Sequence, residues 1–255
     1  MNYMRAYRFV FDSPKWMTNL LAAIICPFVP VVGEMVLFGY AFDIIESLHR
    51  RKDSNAPDFD TNRLSEYLMG GLWPWVARFV ASLPLGFVFG ALYLCFILGI
   101  VFASEKQQLI VVLVMIPLFF LVVLALALIV NIVLTPITLR AGLTQDFGQA
   151  FSIVFIKDFT KRVWRETVLA MLFLFASSLV LSLVGMMLCF VGVFPAAGLV
   201  MLAQFHLWHQ LYELYLERGG TPIPLKPRST NADDEDLPMV YEEPPSEGIQ
   251  PPEER

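Results

Sequence analysis

The stretch "CPFVPVVGE", Cys26 to Glu34, interrupts a run from Met17 to Phe42 that otherwise reads as one long apolar helix. Pro27 and Pro30 each lack a backbone donor, and Gly33 permits dihedrals closed to other residues. Glu34 adds a carboxylate to the same nine residues. Whether the chain crosses a membrane there or turns back decides the topology. Lys and Arg collect in cytoplasmic loops. If the run crosses, 14 of these residues fall on one side and 4 on the other; if it turns back, the split is 17 to 1. The charge distribution therefore favours a broken helical hairpin with both ends cytoplasmic, with a kinked fifth span as the alternative. Irregular backbone at membrane depth must be buried in protein or line a cavity, so Glu34 is expected to face polar groups of the bundle.

The rest of the composition supports a membrane setting. The chain of 255 residues is 57% hydrophobic and 16% charged, with a mean hydropathy of +0.63. Soluble domains carry about 25% charged residues. Residues 79–102, 109–130 and 167–194 contain no charge at all. Each is long enough for a bilayer core, which needs roughly 20 helical residues. A last helix, from Ala196 towards Glu217, makes a fourth crossing. Cys26, Cys95 and Cys189 all lie in apolar segments and read as small hydrophobes, without metal-ligand spacing. The first apolar stretch carries two prolines and follows Pro-Lys-Trp, unlike a secretory leader.

Two amphipathic helices are expected along the membrane surface. One carries Leu64, Leu68, Leu72, Trp75 and Phe79; the other carries Phe147, Phe151, Phe155, Phe159 and Val163, interleaved with Lys157, Asp158, Lys161 and Arg162. Each follows a polar segment and feeds a span, which makes a weak internal repeat of 43–102 and 136–194. The fold class is thus an all-α polytopic membrane protein. It has four full transmembrane helices, the N-terminal hairpin and two interfacial helices. Residues 1–16 form an interfacial segment, with Tyr3, Tyr7, Phe9, Phe11 and Trp16 at the membrane–water boundary. Residues 17–217 form the membrane domain. Residues 218–255 form a disordered cytoplasmic tail, with eight prolines and nine acidic residues after Arg218.

The order of signals "DSPKW", "PFVPVVGEMVLFGY", "APDFD", "YLMGGL", "LTPITLRAGLTQDFGQAF" and "AQFHLWHQLY" resembles the prokaryotic integral-membrane family catalogued as domain of unknown function 4013. The resemblance runs over residues 9–216 and is most specific from Pro14 to Tyr40. It implies a bundle of hydrophobic helices in the plasma (inner) membrane of a bacterium or archaeon, and supplies no activity. The His-rich end of the last helix departs from the plainer small-residue pattern expected there.

Candidate site residues are few. His206, His209, Glu213, Gln210 and Glu217 share one side of the last helix. A His-x-x-His pair with a carboxylate suits zinc, but no further ligand and no supporting shell is visible in the sequence. The plainer reading is a polar stripe leaving the membrane, with Trp208, Tyr212 and Tyr215 as interfacial anchors. Glu34 and Asn131 are the polar residues expected at depth, as a substrate pathway or as hydrogen-bonding members of the bundle. Gly86-x-x-x-Gly90 and Ser178-x-x-x-Ser182 suggest close helix packing. No phosphate loop, Ser/His/Asp constellation or metalloprotease motif occurs in the sequence. The chain therefore reads as no enzyme, with no cofactor and no metal. It reads as a non-catalytic component that contacts anionic lipid headgroups, a membrane-protein partner or a second copy of itself, and not nucleic acid. The alternative is a small-solute transporter or channel with its broken helix near Glu34.

Overall fold

Pro14 forces the residue before it out of helical geometry, and that begins the architecture. In the computed structural model, helix α1 (Tyr3–Asp12) stops at Ser13, which is extended with ψ 136. Helix α2 (Trp16–Ile25) follows. The structure describes residues 1–50, 57–103, 111–188 and 190–225. Arg51, Lys52, Lys106, Cys189 and the acidic stretch 226–255 lie outside the described residues.

The breaker stretch turns the chain back. Cys26–Phe28 form a 3-10 turn that accommodates Pro27 in its opening positions, where a backbone donor is spare. Val31 then takes a left-handed φ of 66, and helix α3 (Val32–Arg50) returns. A Cβ on Gly33 would lie 1.7 Å from the Cys26 carbonyl oxygen, so only glycine permits this closure. With 10 residues, α2 is about 15 Å long, about half of a bilayer core. Lys15 before the hairpin and Arg63 after it line one cavity, so both ends of the hairpin lie on the same side of the bundle.

Helix α3 pairs antiparallel with α4 (Leu64–Val101) through backbone contact. A Cβ on Gly39 would stand 1.9 Å from the Tyr67 carbonyl, and one on Gly71 would stand 1.7 Å from that of Met35. Arg63 closes the seam on Asp43 at 3.3 Å. Helix α4 runs 38 residues, about 57 Å, through Pro74 and Pro84. The separate surface helix expected before this span is therefore its own first turns. Continuity at Pro74 has a chemical reason. Pro74 offers no donor to the Gly70 carbonyl, and Gln145 Nε2 donates to that oxygen instead, at 2.7 Å.

Helix α5 (Ile116–Thr144) follows a π-helical turn, Val111–Met115, and ends at Gln145, itself left-handed with φ 53. A short helix α6 (Phe147–Ala150) is capped by Asp146, whose Oδ1 accepts from Gly148 N at 2.7 Å. Helices α7 (Ile153–Met187) and α8 (Val193–Glu217) pack antiparallel, from Gly185 against Gly192 at one end to Phe159 against Tyr215 at the other.

The second expected surface helix is also a correction. Phe155, Phe159 and Val163 are buried as the first turns of α7. Phe155 stacks under the Arg140 guanidinium at 4.9 Å, and both phenylalanines meet the Tyr215 ring. The stripe faces protein because α8 lies alongside it. Helix α1 is docked on the bundle by its inner face. Ala6 and Val10 are buried, Tyr3 and Tyr7 pack on Phe173, and Tyr7 Oη bonds Ser177 Oγ at 2.6 Å.

Among the described residues, three helices are long and apolar enough to cross a membrane: Thr61–Val101, Leu113–Thr144 and Ile153–Met187. Helix α8, expected as the fourth, is not among them, because its second half carries His206, His209, Gln210 and Glu213. Gly86 and Gly90 have open space where a Cβ would stand, and Ser178 Oγ bonds its own helix at the Phe175 carbonyl. Close packing falls instead to Gly39, Gly71 and Gly142, the last against the Phe42 ring. Residues 218–225, placed by the sequence at the start of the tail, are seated on the bundle. Ile223 is buried and its N–H donates to Tyr212 Oη at 3.0 Å, while Thr221 N–H donates to Tyr215 Oη.

Candidate functional site

Helix α8 is surrounded by α1, α2, α3 and α7, which turns its polar stripe inward. Trp208, Tyr212 and Tyr215 are 2%, 0% and 1% exposed, so they are core residues and not interfacial anchors. Gln210 clamps the chain start: its Oε1 accepts from Asn2 N at 2.7 Å, and its Nε2 donates to Asn2 O at 3.0 Å. The same Nε2 reaches His206 Nδ1 at 2.9 Å, and the His206 ring lies 4.7 Å from that of Phe9. Glu213 Oε1 accepts from His49 Nδ1 at 2.5 Å and lies 3.9 Å from His209 Nδ1. His206, His209 and Glu213 are thus brought together, and α3 adds His49, which the sequence pattern did not single out. Among the described residues no group of three or more His, Cys, Asp or Glu is placed to hold a metal ion. The arrangement does the work of a polar clasp, tying α1 and α3 to α8.

The other two candidates are dispersed. Glu34 is exposed on the outer side of α3 and accepts from Trp75 Nε1 at 2.8 Å. Helical rotation explains this: Gly33, Val36, Leu37 and Tyr40 form the buried face, and Glu34 falls outside that arc. Its partner is thus a polar group of the neighbouring helix α4, met at an exposed position and not in the bundle interior. Asn131 Nδ2 donates to the Ala127 carbonyl of its own helix at 2.8 Å, instead of bridging helices.

A second polar cluster has no counterpart in that expected set. The segment 57–60 is pinned between the hairpin arms by side chains with few other options. Ser13 Oγ donates to Asp58 Oδ1, and Asn19 Nδ2 donates to the same oxygen at 3.2 Å. Asn19 Oδ1 accepts from Phe59 N at 2.8 Å, so this buried amide is satisfied on both ends. Tyr40 Oη donates to the Pro57 carbonyl at 3.1 Å. Between them the Phe59 ring is sandwiched, edge-on to Tyr40 and stacked on Tyr67, each at 5.2 Å. Asp60 Oδ1 caps the next turn through Asn62 N at 2.9 Å.

Two cavities adjoin at this cluster. A polar one of about 560 Å³ opens between Lys15, Asp58, Asp60 and Arg63. An apolar groove of about 500 Å³ runs from there between α2, α3 and the start of α4. Small-ligand sites have roughly 300–1,000 Å³, so both are large enough to hold a group. The available signal in the sequence was "APDFD", an apolar Phe between two carboxylates in an otherwise polar segment.

The family model described as "Protein of unknown function (DUF4013)" matches residues 22–190. The chain belongs to that family. No curated protein and no solved structure matches it.

Proposed function

We propose that this member of the family is an integral membrane protein acting as a non-catalytic component, in contact with lipid and with a membrane partner or a second copy of itself. The observation that carries the reading is the segregation of apolar surface. The most apolar windows of α4 and α5 are 0% buried and that of α7 is 17% buried. Phe87, Phe102 and Met187 are 79%, 82% and 85% exposed. A contiguous apolar surface of this extent calls for a bilayer or a protein partner around it. Helix α8 completes a fourth crossing sheltered from lipid by α1, α2, α3 and α7, where its polar side chains meet protein partners. The hairpin enters from the side that holds Lys15 and Arg63, which we assign to the cytoplasm together with the N-terminus and the tail. Basic side chains there, such as Arg5, Arg8 and Lys157, meet anionic headgroups. The reading as a solute transporter gains nothing from Glu34, whose carboxylate is outward and bound to Trp75.

Alkaline carbonate washing tests membrane integration: the full chain stays in the membrane pellet. In a background with its three cysteines replaced, Asn2→Cys should resist a membrane-impermeant maleimide on intact cells, whereas Ala103→Cys should react. Release by carbonate, or labelling at Asn2 with protection at Ala103, would overturn the placement.

A further inference from the structure

The apolar groove and the polar cavity adjoin as a trough with a shared wall, and its two ends differ in chemistry. Thr18, Phe59 and Thr61 line both. The apolar part is walled by Leu21, Ala22 and Ile25 of α2, Val36 of α3, and Leu64 and Leu68 of α4. From Thr18 to Cys26 it follows about 12 Å of α2. Its rim is greasy: Leu21, Ile25 and Leu64 are 48%, 58% and 43% exposed. A solute that is polar throughout cannot satisfy such walls, and one that is apolar throughout leaves the mouth unsatisfied. The shape calls for an amphiphile.

The charges of the mouth narrow the class. Among the described residues, two cations and two carboxylates line it: Lys15, Arg63, Asp58 and Asp60. Arg63 is engaged, with Nε on Glu66 at 2.7 Å and Nη1 on Asp43 at 3.3 Å. Asp58 is fixed by Ser13 and Asn19, so its carboxylate is held at the mouth. Lys15 is exposed and has no ion pair among the described residues. A headgroup with only negative charge would find Lys15 but would also face Asp58 and Asp60. One with phosphate and ammonium together finds a partner for each.

We propose that the trough binds a diacyl lipid with a zwitterionic ammonium–phosphate headgroup. One acyl chain lies in the apolar groove, the phosphate sits against Lys15, and the ammonium sits against Asp58 and Asp60. The hairpin break serves this site, because the turn at Cys26–Gly33 sets α2 beside α3 and leaves the groove open along α2 and α4. The proposal rests on the membrane placement above, and it deepens that reading by assigning a particular lipid.

The test is native mass spectrometry of the purified full chain. After delipidation it is given equal amounts of dioleoyl phosphatidylethanolamine, phosphatidylglycerol and diacylglycerol. The bound fraction should hold phosphatidylethanolamine at least threefold over either competitor. Lys15→Glu removes the phosphate partner, and Ser65→Trp fills the groove from an exposed position on its wall. Both should return the bound lipid to the proportions supplied, with thermal melting unchanged. Bulk proportions in the parent chain, preference for phosphatidylglycerol, or enrichment that survives both substitutions would each overturn the proposal. Carbonate release would defeat the membrane reading itself; a chain that stays in the membrane but takes lipid at bulk proportions defeats only the lipid site.

Discussion

Gln145→Ala should destabilise the bundle through a bond that serves a proline on another helix. Pro74 leaves the Gly70 carbonyl without its intrahelical donor. Gln145 Nε2 supplies one at 2.7 Å and also caps the Gly142 carbonyl at 2.6 Å. Each such bond contributes about 0.5–1.5 kcal/mol net, so losing both costs about 2 kcal/mol. Gln145 also holds a left-handed backbone, φ 53, which costs a non-glycine residue roughly 1–2 kcal/mol. Gln145→Gly loses the same bonds but relieves that strain, so it should be about 1 kcal/mol more stable than the alanine variant. The decisive comparison is a cycle with Pro74→Ala, which returns an N–H to the Gly70 oxygen. Removing Gln145 in that background should cost less by one hydrogen bond, a coupling of roughly 1 kcal/mol. The measurement is equilibrium unfolding of the full chain in mixed micelles titrated with dodecyl sulfate, followed by tryptophan fluorescence. A coupling within about 0.3 kcal/mol of zero would refute the assignment of Gln145 to the vacancy left by Pro74.

Three further outcomes follow from the packing, each measured in the same unfolding assay. Gly71→Ala should lose about 1–3 kcal/mol or more, since its Cβ meets the Met35 carbonyl at 1.7 Å, whereas Gly90→Ala, in open space, should be neutral or gain up to about 1 kcal/mol of helix propensity. Phe159→Ala should cost about 3–5 kcal/mol as a core truncation; a loss under about 1 kcal/mol would return this stripe to the membrane surface. Truncation after Leu225 should leave stability unchanged, while truncation after Glu217 should cost about 1.5–3 kcal/mol, because it removes buried Ile223.

The sequence by itself determined the quantities that depend on local chain chemistry. Charge-free runs of more than 20 residues make long apolar helices whatever surrounds them, because the backbone must satisfy itself. Two prolines and a glycine inside Cys26–Glu34 prevent one continuous helix, and the helix does stop at Ile25 and resume only at Val32. The tertiary structure decided which way each face points. The four-residue spacing of Phe155 and Phe159 says that one side of a helix is apolar. It does not distinguish a lipid surface from the flank of α8, because both are equally greasy. The polar stripe of His206, His209, Gln210 and Glu213 looked like an exit into water for the same reason, until Asn2, ahead of α1, met Gln210 and His49 of α3 met Glu213. Gly86 and Gly90 have the spacing of a packing motif, yet the close approach is made by Gly39 and Gly71, which lie 32 residues apart in the chain. Their pairing, like that of Ser13, Asn19 and Asp58, exists only once the hairpin brings distant segments together. Spacing along one helix carries no information about which residue a second helix will place opposite it.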